Sequence, residues 1–231
     1  MKSTKLFIIF LIASFSGYAQ SIDSVEHQER RLDRKYTKIM AAGLFDLSFT
    51  DDTTAKISIT APVPWLTDIK SDIINDTLFL RLAYEKDDDW KGLIGSKARI
   101  KVVLPADANI SFIELRNDAH LELKEAVKYG SLNLKATNGS VLNGKLSADE
   151  LIVSLQAGSR AALSGDSDHL KVSAIGGSIF KGSYLQTMKC VTRAAGHSKV
   201  YLNVAKELIA QTTGDAVINN KGAAKKFSPS K

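Results

Sequence analysis

Arg116, Asp118 and Lys135 are the residues of this chain best placed by type and spacing to do chemistry together. A carboxylate beside two cations on one face is the minimum from which a polysaccharide lyase or a glycosidase builds its acid and base. Arg116 and Asp118 are two apart, so a strand turns them to the same side. Lys135 follows Arg116 by nineteen residues, one period of the repeat described below. The two outward lines that hold them continue with Ser154 and Ser173, and with Thr137 and Gln156. Those groups hydrogen-bond well and catalyse poorly, and short corners leave no long loops to wall a pocket. The other reactive types are scattered. His120 and His197 fall four repeats apart, about 19 Å at ~4.8 Å per strand, too far to share a metal. Asp51-Asp52 and Asp87 to Asp89 lack the alternating acidic calcium loop and read as solvated turns. The single cysteine, Cys190, sits inside a strand pattern and reads as a packing residue. No catalytic residue, metal or cofactor is therefore expected. Arg116, Asp118, Lys135, Thr137, Ser154, Gln156 and Ser173 become candidate binding residues on a mixed-charge face. Trp90, in the polar stretch 85–96, is a further candidate, either as an exposed contact or as a cap over one end of the core.

The elements that must position these residues repeat. Stretches beginning at Leu132, Leu151, Leu170, Lys189 and Leu208 each run into a glycine, at Gly139, Gly158, Gly177, Gly196 and Gly214, with His120 taking that place upstream. A fixed period near twenty with strand patterning marks a solenoid. Leu115, Leu134, Val153, Val172 and Val191 form one expected inward line, and Ile113, Leu132, Leu151, Leu170 and then Lys189 form another. After the corner come Leu123, Leu142, Ala161, Phe180 and Val217, interrupted by Lys199. Each unit reads as two short strands meeting at a corner, where His120 or a glycine takes the turn. Stacked units bury a common core that one unit alone cannot. Six such rungs give a stack about 29 Å long. The fold class is all-β, a parallel β-helix-like solenoid with rungs of nineteen residues, the N-terminal strands continuing the same domain. A membrane barrel would need longer strands and aromatic girdles, and a sandwich would not keep a constant period.

The ends set the compartment. Residues 1–19 read as a secretory signal: Lys2 and Lys5, an apolar run from Leu6 to Ala13, and a small-residue cleavage site ending at Ala19. Residues 20–35 read as a polar lead-in arm or short helix, 36–222 as the single domain, and 223–231 as a disordered tail. The net charge of +6 falls to +4 once Lys2 and Lys5 leave with the signal. The basic residues are dispersed, which with export argues against nucleic acid as a partner. No membrane span follows the signal. The expected location is the periplasm or the cell surface.

These residues resemble the secreted bacterial family named putative auto-transporter adhesin head domain, or GIN domain. The likeness lies in the strand from Gly43 to Phe49 after the segment from Tyr36 to Ile39, in the strands at Ala55–Ile59 and Thr77–Leu82, and in the strand from Ile100 that ends in Pro105. It extends to the turns Gly139-Ser140, Gly158-Ser159, Gly177-Ser178 and Gly214-Asp215, which depart from the family's fuller Ser-Gly-Ser-Gly phrase. The resemblance spans about residues 36–222, implies a right-handed parallel β-helix, and brings no catalytic residues. The expected function is an exported, non-enzymatic module binding a surface glycan or an envelope protein. A carbohydrate-active enzyme and a self-associating periplasmic scaffold are the alternatives.

Overall fold

Phe45, Leu47 and Phe49 are buried while Asp46, Ser48 and Thr50 between them are not, and this alternation builds almost every strand. The computed structural model describes residues 24–52, 54–83, 98–124 and 127–227, and it is all-β with about five solenoid turns. The strands are β1 (Val25–Arg31), β2 (Lys38–Ala42), β3 (Phe45–Thr50), β4 (Lys56–Pro62), β5 (Ile69–Ile74), β6 (Thr77–Leu82), β7 (Ile100–Pro105), β8 (Phe112–Arg116) and β9 (His120–Leu123). They continue with β10 (Lys128–Thr137), β11 (Val141–Gln156), β12 (Arg160–Ile175), β13 (Ile179–Ala195), β14 (Lys199–Thr213), β15 (Val217–Asn220) and β16 (Lys226–Phe227). One short helix, α1 (Val63–Leu66), lies between β4 and β5.

Each rung has two runs joined at a corner. The run before the corner is β6, β2, β8, β10 and then the later halves of β11 to β14, all pairing in parallel. The run after it is β7, β3, β9, the earlier halves of β11 to β14, and β15. The N-terminal strands do belong to the same stack, but out of chain order. Leu78 of β6 faces Ile39 of β2, and Ile39 faces Ile113 of β8, so the later pair β6–β7 lies outside the earlier pair β2–β3. Antiparallel β4, β1 and β5 close that end.

The registers correct the nineteen-residue frame at three places. Leu134 faces Ile113 and Ala136 faces Leu115, so the first step is twenty-one residues long. Its corner is Asn117-Asp118, both at positive φ (56° and 64°), and His120 begins β9 instead of turning the chain. Next, Cys190 faces Leu170 and Thr192 faces Val172. The expected inward residues of that rung, Lys189 and Val191, point outward, Val191 at 49% exposure. Finally, Val200 and Ile218 take the inward places expected of Lys199 and Val217. The apparent break in the core was a shifted register; the inward columns run through.

The glycine corners stand. Gly139, Gly158, Gly177, Gly196 and Gly214 all have φ between 68° and 77°. The serine beside them has its own task. Ser140, Ser159 and Ser178 are fully buried, and each hydroxyl donates to the carbonyl three residues back, at 2.7 to 2.8 Å. Ser198 accepts the Ser178 N–H at 3.2 Å, so the corner column is an internally satisfied serine ladder. Part of the expected lead-in, Val25–Arg31, is strand β1, and the sheet reaches into the expected tail at β16. The signal segment and Trp90 lie outside the described residues.

Candidate binding surfaces

The run before the corner turns one residue of each pair outward, and on β8 that residue is Glu114. Lys135 lies directly across from it on β10 and Arg116 two places along. The Glu114 carboxylate accepts from Arg116 Nε and Nη2 at 2.9 Å and from Lys135 Nζ at 3.0 Å, with its side chain only 5% exposed. Burial alone raises the Glu114 pKa, but the hydrogen bonds and charges of Arg116 and Lys135 together hold it below the usual carboxylate range. Its proton is therefore absent at neutral pH, and its Oε1 is already engaged by both cations.

Asp118 is not part of this group. It occupies the corner, where its carbonyl oxygen accepts from Arg99 Nη2 at 2.6 Å. The sequence trio Arg116–Asp118–Lys135 is in fact Arg116–Glu114–Lys135, a closed ion cluster in place of an acid–base pair. Glu114 was passed over because the slipped frame set Lys135 opposite Arg116.

Beyond the cluster the outward line runs Lys135, Ser154, Ser173, Arg193 and Gln211, each facing the next across neighbouring strands. The adjacent line holds Arg116 across from Thr137, and Gln156 across from Ile175. Of the binding candidates, the structure thus gathers Arg116, Lys135, Thr137, Ser154, Gln156 and Ser173 on one open face, and moves Asp118 off it.

The histidines make local pairs. His120 Nδ1 stands 3.2 Å from Asp46 Oδ1, and its pKa is lowered by burial and by Arg99 against the opposing pull of Asp46. Arg99 itself binds the Asp46 carboxylate and the Phe45 carbonyl, which ties β7, β3 and the first corner together. His197 pairs with Asp215 at 3.3 Å on the surface. Among the described residues no three His, Cys, Asp or Glu side chains gather as a metal site. Burial pushes the Cys190 thiol up to about 12, so it packs and does not react.

A second surface, on the run after the corner, went unnoticed in the sequence. A groove of about 900 Å³ is lined by Gly144, Ala162 and Ser164 together with Tyr184 and Tyr201. Tyr184 is 78% exposed, with Lys221 Nζ 5.0 Å from its ring centroid. Between Ala162–Lys181 and Ser164–Tyr184 the register gains one residue on β13, a bulge at Gly182-Ser183 that re-aims the tyrosine. The corner glycines Gly177 and Gly196 stay nineteen apart, so the sequence trace of this bulge is Lys189 falling in a line that is otherwise apolar.

The family described as "Putative auto-transporter adhesin, head GIN domain" matches residues 35–224. The chain belongs to that family. Solved structures of similar shape include a putative adhesin from Bacteroides fragilis, at 14% identity and TM-score 0.67 over 90% of this chain and 98% of that one. A putative lipid binding protein from Parabacteroides distasonis gives 13% and 0.59 over 90% and 98%. A putative adhesin from the same species gives 11% and 0.56 over 89% and 96%. At such identities these likenesses speak to the fold alone. No curated protein matches the sequence.

Proposed function

We propose that this GIN-domain protein is an exported, non-enzymatic binding module that contacts a surface glycan or an envelope protein through the outward face of the run before the corner. The observation that carries the reading is the pair of outward lines holding Lys135, Ser154 and Ser173 and, beside them, Arg116, Thr137 and Gln156. They offer hydrogen-bonding groups at strand spacing, about 4.8 Å apart, to a partner lying along the stack. Glu114, the carboxylate an enzyme would need there, is neutralised by its two cations. Family membership and the adhesin descriptions of similarly shaped proteins support binding over turnover. No helix among the described residues is long and apolar enough to cross a membrane.

The test has two arms. Retention of the purified chain on immobilised glycans and envelope fractions falls at least tenfold when Thr137, Ser154, Gln156 and Ser173 are all changed to Ala, a set that leaves the Glu114 cluster intact. Unchanged retention would remove this face from consideration. Protease shaving of intact native cells then decides the setting. Loss of the protein with a periplasmic marker intact fits adhesion, whereas survival until the outer membrane is opened ends adhesion and leaves an envelope partner.

A further inference from the structure

The Tyr184 groove lies on the other run of each rung, away from the face just described, and its construction calls for a ligand of its own. Large aromatic side chains are normally drawn into cores or interfaces. Here a one-residue bulge lifts Tyr184 out of β13, while its neighbours Phe180 and Leu185 stay fully buried. Gly182 makes the bulge possible: a Cβ there would run into the Phe180 ring, with the Tyr201 carbonyl oxygen 3.2 Å away on the other side. Lys221 then steadies the exposed ring by cation–π contact. The small residues Gly144, Ala162 and Ser164 line the groove, and Gly144 is obligatory because a Cβ would strike the Leu123 backbone.

Among the described residues cations prevail at the groove, where Lys124, Lys145 and Lys181 line it with one carboxylate, Glu122. Its lining residues come from β9, β11, β12, β13 and β14, four strand steps or about 19 Å across. That length exceeds a small metabolite and fits several units of a polymer.

We infer that this groove binds an anionic polysaccharide whose sugar carboxylates meet Lys124 and Lys181 while one sugar ring stacks on Tyr184. An aromatic face offers flat apolar contact to a pyranose, and lysines offer point charges to its carboxylate. A groove with cations beside two tyrosines suits a chain lying within it better than a flat lipid surface, which would meet a protruding apolar face.

The experiment titrates the mature chain with oligosaccharides of galacturonate, alginate and hyaluronate, with the methyl-esterified galacturonate series as the neutral control. Vesicles containing phosphatidylglycerol are run alongside. At least one uronate series binds tenfold or more tighter than the neutral ester, and binding weakens with added salt. Tyr184→Ala lowers affinity at least tenfold without changing thermal stability, as expected for so exposed a residue. Lys124→Gln with Lys181→Gln brings the acidic oligosaccharide down toward the neutral ester. The variant lacking Thr137, Ser154, Gln156 and Ser173 keeps full uronate binding, so this site and the face proposed above fail or stand separately. The inference is overturned by no binding to any uronate series, by binding that Tyr184→Ala leaves intact, or by Tyr184-dependent capture of vesicles with none of the oligosaccharides.

Discussion

Glu114 shows how a single outward residue acquires consequences from its register. With both cations present its folded pKa lies below the ordinary carboxylate value of about 4.3, so its contribution to stability is present above that pH. It is lost as pH falls through the folded value. Remove the cations with Arg116→Ala and Lys135→Ala, and burial alone remains, which raises the pKa and makes ionisation costly. The double variant is expected to lose about 1–3 kcal/mol at neutral pH, a deficit that shrinks toward pH 4. Urea unfolding at several pH values reads this, and Glu114→Gln in the same background should flatten the pH dependence. A deficit independent of pH would show that the cations act by packing only. Thr192 is the converse case. It stands in an inward column between Val172 and Ala210, and its buried hydroxyl has no hydrogen-bond partner. Thr192→Val keeps the shape and removes the orphan, so calorimetry should show stabilisation of about 1 kcal/mol; a lower melting temperature would refute this account. Neither residue stood out in the sequence, because each depends on which neighbour it faces. At Thr192 a one-residue error in the frame exchanges inward for outward, and at Glu114 a two-residue error keeps the side but changes the partner.

The elements explain why that error arose. Corners built on Gly-Ser are legible, since glycine takes positive φ without strain and recurs at a fixed period. The first corner uses Asn117 and Asp118, residue types that also tolerate this region but occur in many other settings. A frame keyed to glycine therefore sets His120, two residues on, at the corner and places Arg116, Asp118 and Lys135 in a false alignment. The inward lines survived where rungs keep nineteen residues, from Leu132 through Leu151 to Leu170. They failed where the β13 bulge adds a residue. That bulge is testable as an element. Gly182→Ala must push against Phe180, a fully buried ring, and is expected to cost about 1–3 kcal/mol through overpacking. Because Tyr184 is carried by the same bulge, its ring should become disordered or shift, which solution spectra of the tyrosine resonances would register. An unperturbed Tyr184 signal with unchanged stability would mean that the bulge is not held by Phe180.

At the scale of the whole molecule the question is how a stack of strands avoids growing. A bare solenoid end is a row of unpaired N–H and C=O groups, a template for another chain. Near the C-terminal end one side chain ties the last turn to β14: Asn220 Oδ1 accepts from the Val204 and Gly222 N–H groups, at 2.8 and 3.1 Å, and its Nδ2 donates to the Ala224 carbonyl at 2.9 Å. The N-terminal end is closed by reversing strand direction. β4 turns antiparallel to β7 and β1 covers β4, while Arg30 reaches across the end to the carbonyls of Ile69 and Leu66, at 2.7 and 3.0 Å. β1 itself carries Glu26, Glu29, Arg30 and Arg31, charges that discourage a further strand. Its sequence is nearly all polar, which is why it resembled a lead-in arm: an edge strand that must repel neighbours lacks the apolar alternation by which strands are recognised. Two roles can be separated. Deleting residues 24–31 uncovers the alternating β4 edge, and sedimentation should then show mass rising with concentration relative to the intact chain. Arg30→Ala loosens the end but leaves β1 in place, so it should lower the melting temperature without adding mass. If the deletion stays at the mass of the intact chain, β1 is a staple only, and the guard against stacking lies elsewhere. If Arg30→Ala also associates, the cross-end hydrogen bonds are what keep β1 seated, and staple and guard are one device.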